Sequence, residues 1–221
     1  MGRIIAIGDV HGCAQTFRKL LFEKLSVQPD DTIYCLGDLI DRGPDSKGAI
    51  DTLLDLRKNG FTVQTMRGNH EEILLQVLAG RGSIENWIKN GGDSLLASFG
   101  VANVTEIPDA YLRFIRDTRH YIATDAHIFV HAGLNLDLPD PFLDTTTMLW
   151  DRTFAYHADK LNHRILVHGH TPKPLEYILK QPVAGSVNLD SGCVYAQQGY
   201  YGHLTALNLT DKEYVVQEYC E

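Results

Sequence analysis

Five times along this chain an apolar run of strand length stops at a short motif of polar residues flanked by glycine. The run at 4–7 leads into Gly8-Asp9-Val10-His11-Gly12, and that at 32–36 into Gly37-Asp38-Leu39-Ile40-Asp41-Arg42-Gly43. The run at 62–66 leads into Gly68-Asn69-His70-Glu71, that at 127–130 into His131, and that at 164–167 into His168-Gly169-His170. Short apolar runs bounded by turn residues read as strands. Each motif then sits at the mouth of a strand, and one rim of one sheet is expected to gather them all.

The residue types point to bound cations. Residues two apart in an extended chain point the same way, so Asp9 and His11 are expected to grip one ion together. Asp38 is the candidate bridge, because two divalent ions about 3.5–4 Å apart need a shared anion and a carboxylate offers an oxygen to each. Asn69, His131 and His170 complete the second ion. Nitrogen and hard oxygen donors without a thiolate suit Mn²⁺ first, with Fe and Zn left open. Taken singly, Asp9 or Asp38 after a strand is an ordinary turn or capping residue; the combination carries the metal reading.

Seven motifs occur in order: Asp9-Val10-His11-Gly12, Asp38-Leu39-Ile40-Asp41-Arg42-Gly43, Gly68-Asn69-His70-Glu71, His131-Ala132-Gly133, Trp150-Asp151-Arg152, Gly169-His170-Thr171-Pro172 and Leu189-Asp190-Ser191-Gly192. In them the chain resembles, over nearly its whole length, the metal-dependent phosphoprotein phosphatase family, and within it the small bacterial and bacteriophage lambda-type serine/threonine phosphatases. One such motif is a weak signal, whereas this many in order is a specific one. The resemblance implies a calcineurin-like metallophosphoesterase fold, a four-layer α/β/β/α sandwich with two mixed sheets. It implies that Asp9, His11 and Asp38 hold one metal while Asp38, Asn69, His131 and His170 hold the other. It gives Arg42, Arg152 and Asn69 to the phosphate and His70 with Asp41 to the leaving group. Of the two histidines in the fifth motif it selects His170; His168 reads either as a strand residue packed beside it or as a ligand in its place. Two departures are Ser191, where the bacterial members more often carry threonine, and the long stretch 197–201 on the substrate-facing rim.

The arginine assignment also has independent chemistry behind it. A guanidinium fork stays charged and binds two phosphate oxygens at once. The plainer alternative pairs Arg42 with Asp38 or Asp41, and Arg152 with Asp151, as ion pairs. The expected reaction removes phosphate from phosphoserine or phosphothreonine of proteins, and possible phosphotyrosine substrates share the same chemistry. A hydroxide bridging the two metals attacks phosphorus directly, without a phosphoenzyme. His70 protonates the departing oxygen while Asp41 holds its ring. The alternative is hydrolysis of symmetric dinucleoside tetraphosphates, for which the chain looks short. A catalytically silent scaffold is a third reading, opposed by the presence of every ligand, both arginines and His70.

Length and composition fit a single catalytic domain over 1–221: 44% hydrophobic residues supply a sizeable core. Strand-like runs alternate with amphipathic stretches at 15–25, 47–58, 71–79, 93–99 and 110–116, which makes the class α/β. The closing runs at 186–189, 204–209 and 214–219 are expected as adjoining strands of the second sheet. Segments 103–109, 134–147 and 180–185 read as surface loops, and the long one before Trp150 is expected to border the substrate groove. A net charge of −8 without a Lys/Arg cluster argues against a nucleic-acid polymer as partner.

Cys13, Cys35, Cys193 and Cys220 show no C-x-x-C spacing, which suits reduced thiols in the cytoplasm. A strand run that starts at Ile4 leaves no room for a signal peptide, and no run approaches the ~20 residues needed to span a bilayer. Two patches stay open. Trp87 with Asn90-Gly91-Gly92 is either a helix stop over a core tryptophan or a patch shared with the lambda-type phosphatases and bacterial dinucleoside tetraphosphate hydrolases. Tyr195, Tyr200 and Tyr201 either stack on a base or peptide or cover the core.

Overall fold

A computed structural model describes residues 2–153 and 155–221. The strands, in chain order, are β1 (Ile4–Ile7), β2 (Thr32–Cys35), β3 (Thr62–Thr65), β4 (Tyr121–Ala123), β5 (His127–Val130), β6 (Ile165–His168), β7 (Ser186–Asn188), β8 (His203–Asn208) and β9 (Glu213–Glu218). They form two sheets, ordered β3-β2-β1-β8-β9 and β4-β5-β6-β7. Both are mixed: β1, β2 and β3 run parallel, β8 is antiparallel to β1 and β9 to β8, while β4 is antiparallel to β5 in an otherwise parallel second sheet.

Period-two alternation explains the layers. In β1, Ile5 and Ile7 enter one core while Ala6 enters another, and β2 divides Ile33 and Cys35 from Tyr34 in the same way. The first core lies between the outer face of the five-stranded sheet and helices α1 (Ala14–Lys19), α2 (Ser46–Lys58), α3 (Asn69–Leu78), α4 (Ile84–Trp87), α5 (Asp93–Phe99) and α6 (Asp109–Arg116). The second lies between the sheets, where the Tyr34 and Phe129 rings stack at 3.8 Å. A third, with Met148 of α7 (Thr145–Trp150), covers the far face of the second sheet, and α8 (Leu175–Lys180) completes the helices. The result is the expected four-layer α/β/β/α sandwich.

Several elements differ from the sequence reading. Only β7 of the closing runs belongs to the second sheet; β8 and β9 extend the first, with β8 paired antiparallel to β1. Neighbours in sequence are not neighbours here, because the open edge of β1 accepts the last hairpin and buries Leu204 and Ala206 in the first core. The expected helix 15–25 is α-helical to Lys19 and then widens into a π turn over Leu20–Lys24. β4, α4, α7 and α8 were not anticipated. α2 begins where Asp45 accepts a hydrogen bond from the Gly48 N–H, and ends in Arg57 and Lys58, which suit a helix C-terminus.

Candidate metal centre

The parallel register sets Ile7 beside Cys35 and Cys35 beside Thr65, so the loops after β1, β2 and β3 leave the first sheet level with one another. On the facing sheet, Phe129 lies beside Val167, which brings out His131 and His170 together. The motifs therefore meet at the adjoining ends of two sheets, not along one rim of one sheet. The tight turns put His11, Asp38, Asp41, Arg42 and His170 in left-handed backbone, with φ of 46°, 47°, 69°, 70° and 69°. Such conformations cost on the order of 1–2 kcal/mol each outside glycine. They also mean that Asp9 and His11 do not lie in one extended segment.

Two buried triads share Asp38: one of His11, Asp38 and His70, the other of Asp38, His131 and His170, each with its ligand atoms within 4.8 Å of one another. Asp38 Oδ2 lies 3.5 Å from Nε2 of both His11 and His131, and Oδ1 accepts the His70 N–H. Asn69 Oδ1 is 3.0 Å from both His131 Nε2 and His170 Nδ1. Asp9 stands beside the triads at the sheet junction, where its carboxylate accepts the His170 N–H at 3.1 and 3.2 Å. That approach requires glycine at 169, because a Cβ there would fall 2.0 Å from Asp9 Oδ1. His168 belongs to neither triad and faces a neighbouring cavity.

The donor set fits cations. A carbonyl only accepts, so His131 Nδ1 and His11 Nδ1 must donate to Leu36 O and Ile40 O, which leaves both Nε2 atoms as acceptors, that of His11 engaged by Arg42. The His131 lone pair then faces the Asn69 oxygen at 3.0 Å, two acceptors whose approach a positive ion would relieve, and His170 Nδ1 lies 3.2 Å away. His170 Nε2 and His70 Nε2 are buried without a hydrogen-bond partner.

His70, Asp41 and Trp87 form a chain. His70 Nδ1 donates to Asp41 Oδ2 at 2.8 Å, and Trp87 Nε1 donates to the same oxygen at 3.1 Å. Trp87 is thus a fully buried core residue, as one reading of its patch has it, and also supports Asp41. Gly92 must be glycine, since a Cβ there would meet the indole at 2.2 Å, and Gly91 O accepts the Arg42 N–H. Glu71 has a role the sequence reading did not assign. Fully buried, it accepts the N–H groups of Asp38, Leu39 and Gly68 at 2.8–2.9 Å, tying the second motif to the third.

A model of the calcineurin-like phosphoesterases matches residues 2–203. The chain belongs to that family. This phosphoesterase is 28% identical to the bis(5'-nucleosyl)-tetraphosphatase PrpE [asymmetrical] of Anoxybacillus flavithermus, over 95% of this chain and 91% of the relative. It is 42% identical to serine/threonine-protein phosphatase 1 of Salmonella typhimurium, over 39% of this chain and 38% of that one. Among solved structures, a protein assigned provisionally as a diadenosine tetraphosphatase superimposes with a TM-score of 0.66 at 21% identity, over 100% of this chain and 95% of the other.

The electrostatics of the phosphoesterase favour bound positive charge. Burial raises the pKa of Asp9, and the neighbouring Asp190 and Asp38 charges raise it further; burial pushes Asp190 up to about 7. Burial opposes ionisation of Asp38 too, yet His131, His70 and His11 outweigh it and hold the carboxyl well below its usual range. Burial depresses His11 and His131 and takes His170 to about 3 and His168 to about 4, which favours the neutral ring that a histidine ligand needs. His70 goes the other way: burial opposes its charge, but Asp38 and Asp41 raise its pKa overall.

Around the phosphoesterase centre, Arg42 donates to His11 Nε2 at 2.7 Å and lies 5.7 Å from the Tyr195 ring, while Arg152 is exposed. Neither arginine forms a salt bridge among the described residues, so the plain ion-pair reading does not apply. Tyr201 packs against both Tyr195 and Tyr200, and Tyr200 is exposed. Trp150, also exposed, stands edge-on 6.5 Å from the His170 ring. The serine departure is accommodated locally, since Ser191 Oγ donates to His203 O. No helix among the described residues is long and apolar enough to cross a membrane.

Proposed function

We propose that this chain is a dinuclear metal-dependent phosphomonoesterase that removes phosphate from phosphoserine and phosphothreonine of proteins. One observation carries the reading: buried His70 is held through Nδ1 by Asp41 and presents an unpartnered Nε2 at the centre. A serine or threonine alkoxide leaves poorly unless it is protonated as the P–O bond breaks, and a charged imidazole at that place supplies the proton. Asp41 fixes the tautomer and, with Asp38, favours the charged ring.

In this reading Asp9, His11 and Asp38 hold one ion, and Asp38, Asn69, His131 and His170 the other, with Mn²⁺ preferred over Fe and Zn. Such ions, when bound, make water acidic and draw charge from the non-bridging phosphate oxygens. An ion held at His11 Nε2 would replace the Arg42 contact there and free that guanidinium, so that Arg42 and Arg152 would grip two of those oxygens, with Asn69 beside them. Free Cys13, Cys35, Cys193 and Cys220 suit work in the cytoplasm.

A second reading is cleavage of dinucleoside tetraphosphates, and the nearly full-length likeness to PrpE favours it. That relative's name says asymmetrical cleavage, not the symmetric cleavage expected from the sequence. Length does not count against it, because the match spans 91% of the relative.

The test is kcat/KM of the Mn²⁺-loaded protein on a phosphothreonine peptide and on diadenosine tetraphosphate, with Asp38→Asn as blank. Peptide preference supports the first reading and dinucleotide preference the second. His70→Asn is expected to slow the peptide by about 10²–10³-fold and 4-nitrophenyl phosphate, whose leaving group needs no proton, by less than about tenfold. Equal losses would remove His70 from the acid role.

A further inference from the structure

Beside the metal centre, toward the second sheet, lies a cavity of about 220 Å³. Ala132 and Thr171, each following a histidine of the second triad, line it together with Arg152, His168, Lys173 and Tyr177. Arg152 serves both spaces, since its charge also acts on His131 and His170. Lys173 has its backbone N–H tied to Asp190 O at 2.9 Å, and its Nζ stands 6.0 Å from the Tyr177 ring.

The cavity carries two cations, and neither forms a salt bridge among the described residues. The carboxylate of Asp151, which also borders it, is engaged by the N–H and hydroxyl of Thr153. Like charges lining one polar hollow repel, and an anion between them offsets that repulsion. The hollow is far larger than the space one water needs.

We propose that this cavity is a subsite for a second phosphate of the same substrate. With the phosphoryl group under attack at the metal centre, the second group lies between Arg152 and Lys173. Arg152 is shared between the two groups, whereas Lys173 touches only the second. The inference rests on the centre being a phosphate-hydrolysing one and adds to it a preference among substrates. A condensed phosphate chain, as in a dinucleoside polyphosphate, brings such a group, and so does a peptide with a second phosphorylated side chain. An ester with a single phosphate does not.

The experiment is calorimetric binding of orthophosphate and of methylenediphosphonate, whose P–C–P bridge resists hydrolysis, to Mn²⁺-saturated wild type, Lys173→Gln and Lys173→Arg. Wild type is expected to bind the diphosphonate more tightly. Lys173→Gln should narrow that gap by about fivefold, and Lys173→Arg should restore it. A gap unchanged in Lys173→Gln, or equal weakening of both ligands, overturns the subsite. Wild-type turnover of 4-nitrophenyl phosphate reports separately on the phosphoesterase reading. The source is then read from kcat/KM on diadenosine tetraphosphate and on a doubly phosphorylated peptide: a fall in Lys173→Gln on either identifies it, and a fall on neither overturns the proposal.

Discussion

At the scale of single residues, the centre depends on groups that never face the substrate. Trp87 donates to Asp41, which holds His70, so a defect at the indole travels to the acid through two hydrogen bonds. Trp87→Phe keeps much of the buried ring and deletes the N–H. We expect a loss of about 1–2 kcal/mol in urea denaturation. Turnover of a phosphothreonine peptide should fall more than that of 4-nitrophenyl phosphate; equal falls would reduce Trp87 to packing. The candidate ligands were legible in the sequence because their chemistry is written in residue type and local spacing. The tie of Trp87 to Asp41 and those of Glu71 to Asp38 and Leu39 were not, because these partners lie 46 and 32–33 positions away and nothing local marks the contact.

At the scale of elements, the positions of every described strand but the short β4 were legible to within about a residue, since turn residues bound short apolar runs. Pairing was not, because hydrophobic pattern says which face is buried and not which edge is free; hence the misplacement of β8 and β9. One tie between elements leaves a pH signature. Arg3, next to β1, grips Asp31, next to β2, through both guanidinium and backbone N–H, and Gln28 N–H adds a further bond. Burial opposes the Asp31 charge, but these donors outweigh it and lower the pKa below its ordinary 3.8. A depressed carboxyl stabilises the fold above 3.8 and loses that contribution as pH falls through the folded value. Asp31→Asn should therefore cost about 1–2 kcal/mol at neutral pH and progressively less below about pH 4, as read by urea midpoints across that range. A difference constant with pH would deny the ionic tie.

At the scale of the whole molecule, the centre is a joint between two sheets, so ligand binding should brace the packing itself. Mn²⁺ at a hundredfold over its Kd is expected to add about 2.7 kcal/mol. In a chain of this size that raises Tm by roughly 5–10 °C, with reversal by EDTA and no shift in Asp38→Asn. A wild-type Tm indifferent to Mn²⁺ would count against a metal centre at this joint. The same joint has a consequence for synthesis. Gly8 N–H, directly before Asp9, donates to Thr205 O, on a strand made about 200 residues later. A ribosome adding about 5–20 residues per second leaves the β1 edge without that partner for roughly 10–40 s. An unpaired edge invites other strands. The nascent chain is thus most open to mis-pairing well before it has both sheets with which to hold an ion.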